Sequence, residues 1–225
     1  ISAFAFMAFV RSANPEITGT EKPMELMMIH GILNSPAFPS RDLWLSGYSI
    51  SYYHFGYVMT SMLAKFTGVP ATMAFNLMIA LVFGLSAVGA YGVLYNLLAL
   101  VQIAKVDDEE STSSESQFSF LSALLAPIYL LIMSNAEGFL EVLHAHGLFW
   151  KDGSNFWKWL DIMDLRDAPS QPLAWAPTRY YWWWRASRVV QDYELNGTWR
   201  ETIDEFPAFS YILGDLHPHV LAMPF

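Results

Sequence analysis

Apolar and polar positions fall in long blocks along this chain, and the longest apolar block carries no charge. From Lys65 to Lys105 no Asp, Glu, Lys or Arg intervenes. A membrane-spanning helix needs about 20 mostly apolar residues, so residues 71–103 predict one span with length to spare. Gly84, Gly89 and Gly92, set among Ala and Ser, give that helix a small-residue face on which a neighbour packs closely. Residues 50–66 predict a second span, polar at its front and ended by Thr67-Gly68-Val69-Pro70, a turn signal. Residues 118–134 predict a third, and residues 1–10 and 206–225 read as two truncated spans. The predicted fold class is therefore all-α, a polytopic transmembrane helix bundle. The chain reads as one fragment of a larger membrane domain.

Three polar segments separate these runs. Residues 11–49 form a loop in which Leu26, Ile29 and Leu33 stand at helical spacing, which predicts an amphipathic helix at the interface. Residues 104–117 contain the acidic, Ser-rich stretch DDEESTSSESQ, a solvated loop. Residues 135–205 are the longest segment and hold eight of the nine tryptophans, a density that suits the headgroup level of a bilayer. One span each for residues 50–66, 71–103 and 118–134 would put the first loop and the aromatic segment on opposite sides. For both to build one site, either residues 71–103 break into two halves around Gly84 to Gly92, or the basic aromatic segment lies outside, against the positive-inside rule.

Composition agrees with a multi-pass protein of the cell membrane. Hydrophobic residues make up 54% of the 225 and charged residues only 15%, against about 25% in soluble domains. A net charge of −9 with no basic stripe excludes nucleic acid as a partner. The absence of cysteine excludes disulfide scaffolds and thiolate metal sites.

The few charges left in apolar surroundings mark candidate chemistry. In the first loop, Glu21 and Glu25 flank Lys22-Pro23-Met24. A partly desolvated carboxylate there can act as a general base; equally, acids after a turn favour a helix N-terminus. Near the end, Asp215, His217 and His219 lie within five residues around Pro218. Ionisable groups in an apolar stretch are costly, and these suit phosphate or substrate contact, a divalent metal, or structural hydrogen bonds. Pro218 predicts a broken helix lining a cavity. Arg185 and Arg188, three apart in an aromatic run, suit either a phosphate grip or interfacial anchoring. His144 and His146 are less distinctive, and Asn196-Gly197-Thr198 is a short sequon match.

At these residues the chain resembles the Chlor-Arch YYY family of integral membrane proteins, a family without an assigned activity. Tyr52-Tyr53-His54-Phe55-Gly56 matches its Tyr-rich motif, with His in the third place. Glu21-Lys22-Pro23-Met24-Glu25, Ala74-Phe75-Asn76-Leu77, the piece from Arg185 to Val189, and Glu205-Phe206-Pro207 through His219 follow in order. The resemblance implies a fold related to the GT-C glycosyltransferases, which take sugar from a polyprenyl-phosphate donor with an acid in the first outer loop as base. It implies Glu21 or Glu25 as base, with Arg185, Arg188, Asp215, His217, His219, Tyr52, Tyr53 and His54 around substrate and phosphate, in a lipid environment. One departure stands out: Glu21 is followed by Lys22, where that fold commonly shows an acidic pair. The rival expectation is an accessory subunit of a larger membrane complex, contacting pigment or haem through His144, His146, His217 or His219. No cofactor is specified by either reading.

Overall fold

A computed structural model of the chain describes residues 1–45, 47–50, 53–106, 119–133, 136–150, 155–178 and 182–225. Its helices are α1 (Ser2–Ala13), α2 (Lys22–Asn34), α3 (His54–Thr67), α4 (Ala71–Val106), α5 (Leu125–Ile128), α6 (Glu137–Ala145), α7 (Phe156–Leu160), α8 (Trp182–Arg185), α9 (Pro207–Leu213) and α10 (Pro218–Ala222). A π-helical turn, Tyr129–Met133, continues α5. Among the described residues the only sheet is a hairpin of β1 (Gln191–Tyr193) and β2 (Trp199–Glu201), antiparallel with Asp192 opposite Arg200. The protein is thus mostly helical, as its apolar blocks predict.

Among the described residues one helix is long and apolar enough to cross a membrane, the Ala71–Ile103 stretch of α4. Its 33 residues make a rod of about 50 Å at helical rise, well beyond a hydrocarbon core of about 30 Å. It runs unbroken past Gly84 and Gly92, which removes the option of two half-helices there. Only a third of its apolar window is buried. Val93, Leu97 and Leu100 are exposed along it and share one side of the helix, an apolar face of the kind that meets lipid or another helix. The predicted span at 50–66 is α3, whose 14 residues reach about 21 Å.

Two compact units divide the chain: Ile1–Ile132 with Ser210–Phe225, and Met133–Phe209. In the first, α1 lies along α4 where Gly84 makes room, since a Cβ on Gly84 would stand 3.2 Å from Phe4 Cβ. Phe6 meets Phe83 at 6.1 Å between ring centroids, and Phe83 meets the edge of Tyr211 at 4.9 Å. The core of this unit gathers Ile29, Tyr57, Phe75, Ile79, Leu216 and Val220, all fully buried. Polar ties seal its rim. The buried Arg11 at the end of α1 donates from Nε and Nη2 to Asn76 Oδ1 at 2.9 and 2.7 Å, and Asn76 Nδ2 donates to Pro15 O at 3.1 Å. In the second unit, Trp157 is buried, donates from Nε1 to Leu148 O at 3.0 Å, and meets the His144 ring at 5.0 Å.

Candidate functional site

The candidate site is built in the first unit, where the start of α2 meets the break that separates α9 from α10. Gly19 and Thr20 take left-handed φ values of +71° and +47° and turn the chain into α2, where Pro23 occupies the first turn. Proline suits that place because its missing N–H would have no helical partner. Glu21 is the N-cap, and its carbonyl accepts the Glu25 amide at 3.0 Å. On the other side, α9 ends at Gly214 (φ +78°), His217 is extended, and Pro218 starts α10. Gly214 is required twice over: its φ is left-handed, and a Cβ would stand 2.5 Å from Arg11 Nη1. The broken backbone predicted around Pro218 is therefore present.

The two segments bind residue to residue. Thr20 Oγ1 donates to Asp215 Oδ1 at 2.7 Å, and Lys22 Nζ donates to Leu213 O at 3.0 Å. The amide of Leu216 donates to Glu25 Oε2 at 2.9 Å, and the Tyr57 hydroxyl donates to Glu25 Oε1 at 3.4 Å. His217 Nε2 stands 3.1 Å from Glu21 Oε2 and can donate to it. The edge of the Tyr53 ring packs on His217 at 6.0 Å, and the His219 ring lies nearly parallel to His217 at 5.5 Å with its own Nε2 on Ser210 Oγ at 3.1 Å.

The two candidate bases occupy opposite environments. The Glu25 side chain has no exposed surface. Burial pushes its carboxyl up to about 7; the charges of Asp215 and Glu21 add to the rise, while the Leu216 amide and His217 oppose it. Glu21, by contrast, keeps 44% of its side chain exposed, beside a His217 side chain that is 12% exposed. Solvent can reach Glu21 and cannot reach Glu25.

An apolar groove of about 610 Å³ is lined by Tyr53, His54, Phe55, Pro218, Leu221 and Phe225, and it adjoins the pair through Tyr53, whose ring packs on His217. His54 is held by Ser40 Oγ at 3.2 Å and stacks near Phe38 at 5.3 Å. Tyr52 lies outside the described residues.

The other predicted residues are placed as follows. Asp215 is buried, its Oδ1 takes the Thr20 hydroxyl, and its charge acts on Arg11. Arg185 and Arg188 belong to the second unit. There Arg185 Nε contacts Asp164 Oδ2 at 2.6 Å, and both arginines reach Glu201 Oε1 at 3.5 Å. Arg185 is thus hydrogen-bonded to a carboxylate of its own unit, whereas Arg188 Nη1 donates to Ser187 O at 3.1 Å. His144 and His146 each turn Nε2 to a backbone carbonyl, of Asp167 and Trp175, at 2.7 Å. Asn196 caps its own hairpin turn, its Oδ1 accepting the Thr198 amide at 2.8 Å.

Thr20, Lys22, Tyr57, Arg11 and Asn76 complete the site without having been singled out as candidates. Tyr57 continues the Tyr-rich motif and Asn76 sits in a matched stretch, but neither position shows its partner in sequence. A family described as Uncharacterized membrane protein (DUF2298) matches residues 1–225. No curated protein and no solved structure matches the chain.

Proposed function

The chain belongs to this family of membrane proteins, and from that premise we propose that it is a multi-pass, GT-C-like glycosyltransferase of the cell membrane that uses a polyprenyl-phosphate-linked sugar donor. One observation carries the reading: a half-exposed Glu21 carboxylate held 3.1 Å from His217 Nε2, whose ring packs on Tyr53 of a neighbouring apolar groove. The first-loop position of Glu21 and the resemblance described above support the same assignment.

In this reading Glu21 takes the proton of the acceptor hydroxyl as that oxygen attacks the anomeric carbon of the sugar. The bond from that carbon to the phosphate oxygen breaks, and its electron pair leaves with the polyprenyl phosphate. His217 aligns Glu21 through its Nε2–H, and His219, with Nε2 accepting from the Ser210 hydroxyl, offers its Nδ1–H to the departing phosphate. The groove receives the first part of the lipid, with Tyr53 and His54 at its mouth. Other membrane subunits are compatible partners, through the exposed face of α4. The test is transfer itself: purified protein in vesicles is given radiolabelled polyprenyl-phosphate sugars. Label is expected to leave the lipid fraction for an acceptor. Retention of label on every donor offered, including those of hexoses and pentoses, would refute the reading.

A further inference from the structure

The break between α9 and α10 is gripped by one short segment, and the grip has an order. Thr20 holds Asp215, Glu21 holds His217, Lys22 holds the Leu213 carbonyl and Glu25 holds the Leu216 amide. The Gly214 amide still donates to Ser210 O at 2.9 Å, but residues 215–217 leave the helical pattern, so a buried amide there needs another acceptor. Leu216 is fully buried, and its amide ends on a fully buried carboxylate. Glu21 and Glu25 are one helical turn apart, while their partners His217 and Leu216 are adjacent. One rigid helix end thus fixes both the backbone before the histidine and the ring itself. A shift of Leu216 by about 1 Å would carry the Glu21 to His217 contact past hydrogen-bond range.

We propose that Glu25 is a positioning residue, whose buried carboxylate anchors the Leu216 amide and thereby sets His217 against Glu21. It rests on the reading that Glu21 and His217 form the working pair. Glu25 does not meet the acceptor, because it is sealed and both its oxygens are engaged by Leu216 and Tyr57. What it supplies is an acceptor oxygen in a fixed place, and a Gln side chain supplies one too.

The test compares Glu25→Gln and Glu25→Ala in the intact protein reconstituted in nanodiscs, by hydrogen exchange of the peptide covering 214–217 and by sugar transfer. Loss of a buried hydrogen bond to a carboxylate predicts exchange about tenfold to a hundredfold faster in Glu25→Ala, with transfer falling as His217 drifts. Glu25→Gln is expected to stay within about threefold of the wild type in both, since the acceptor is retained. Should Glu25→Ala fail to fold, Tyr57→Phe loosens the same carboxylate and is expected to raise exchange a few-fold at 214–217 alone. Unchanged exchange in Glu25→Ala, or in Tyr57→Phe where that variant stands in, would overturn the proposal. So would a Glu25→Gln variant with normal exchange and no transfer, which would make Glu25 a proton acceptor. If the wild type transfers no sugar, the enzymatic reading fails, while the exchange comparison still decides the anchor.

Discussion

Replacing Glu25 by Gln is expected to change how stability depends on pH. Burial raises the Glu25 carboxyl from 4.5 to about 7 in the folded protein. Each unit of difference between folded and unfolded states is worth about 1.4 kcal/mol, so the whole shift corresponds to about 3 kcal/mol. The sign follows from proton uptake. Between pH 4.5 and 7 the folded state holds a proton that the unfolded state has released, so stability falls as pH rises through this window. Above it the full cost of burying the charge applies. The groups facing Glu25 are Asp215, Glu21, His217 and Tyr57, with Lys22 on the same turn; all remain in the variant, so the difference between the two proteins isolates Glu25. Denaturant unfolding of the purified protein in detergent at pH values from about 5 to about 8 measures it. Glu25→Gln should gain on the wild type steadily across the series, by up to about 3 kcal/mol. A flat difference, or a wild type that gains on the variant as pH rises, would show that the carboxylate is charge-stabilised rather than desolvated.

Further outcomes follow from the packing of each unit. Asn76→Leu removes the acceptor of the buried Arg11 guanidinium and should cost about 2–3 kcal/mol in the same unfolding assay. Gly214→Ala forces a left-handed φ on a residue with a Cβ and drives that Cβ into Arg11; a loss of about 2 kcal/mol or more is expected, together with faster exchange at 214–217. Trp157→Ala empties the core of the second unit and should cost about 3–5 kcal/mol, seen as early proteolysis within residues 137–200 before any cleavage in α4.

Much of the helical framework was legible because its signals are local. A charge-free run announces α4, Pro23 announces the start of α2, and Gly214 with Pro218 announces the break before α10. The members of the candidate site were legible singly and their pairing was not. Glu21 and His217 stand 196 positions apart, and nothing in either neighbourhood names the other. Glu25 illustrates the limit most clearly: an acid in the first turn of a helix looks the same in sequence whether it faces water or a sealed core, and only the packing of Tyr57 and Leu216 around it decides. Arg11 and its acceptor Asn76 lie 65 positions apart in different helices, so neither names the other. The ion-pair partners of Arg185, Asp164 and Glu201, are likewise separated from it along the chain and are not marked in its own neighbourhood.

The pairing of Glu21 with His217 as a catalytic centre is tested most directly by the single-turnover rate of sugar transfer in Glu21→Gln, measured in vesicles beside the wild type. Loss of a general base predicts a fall of about a hundredfold to ten-thousandfold, with the exchange of 214–217 close to that of the wild type because Glu25 still anchors Leu216. A Glu21→Gln protein that transfers sugar at the wild-type rate would contradict it.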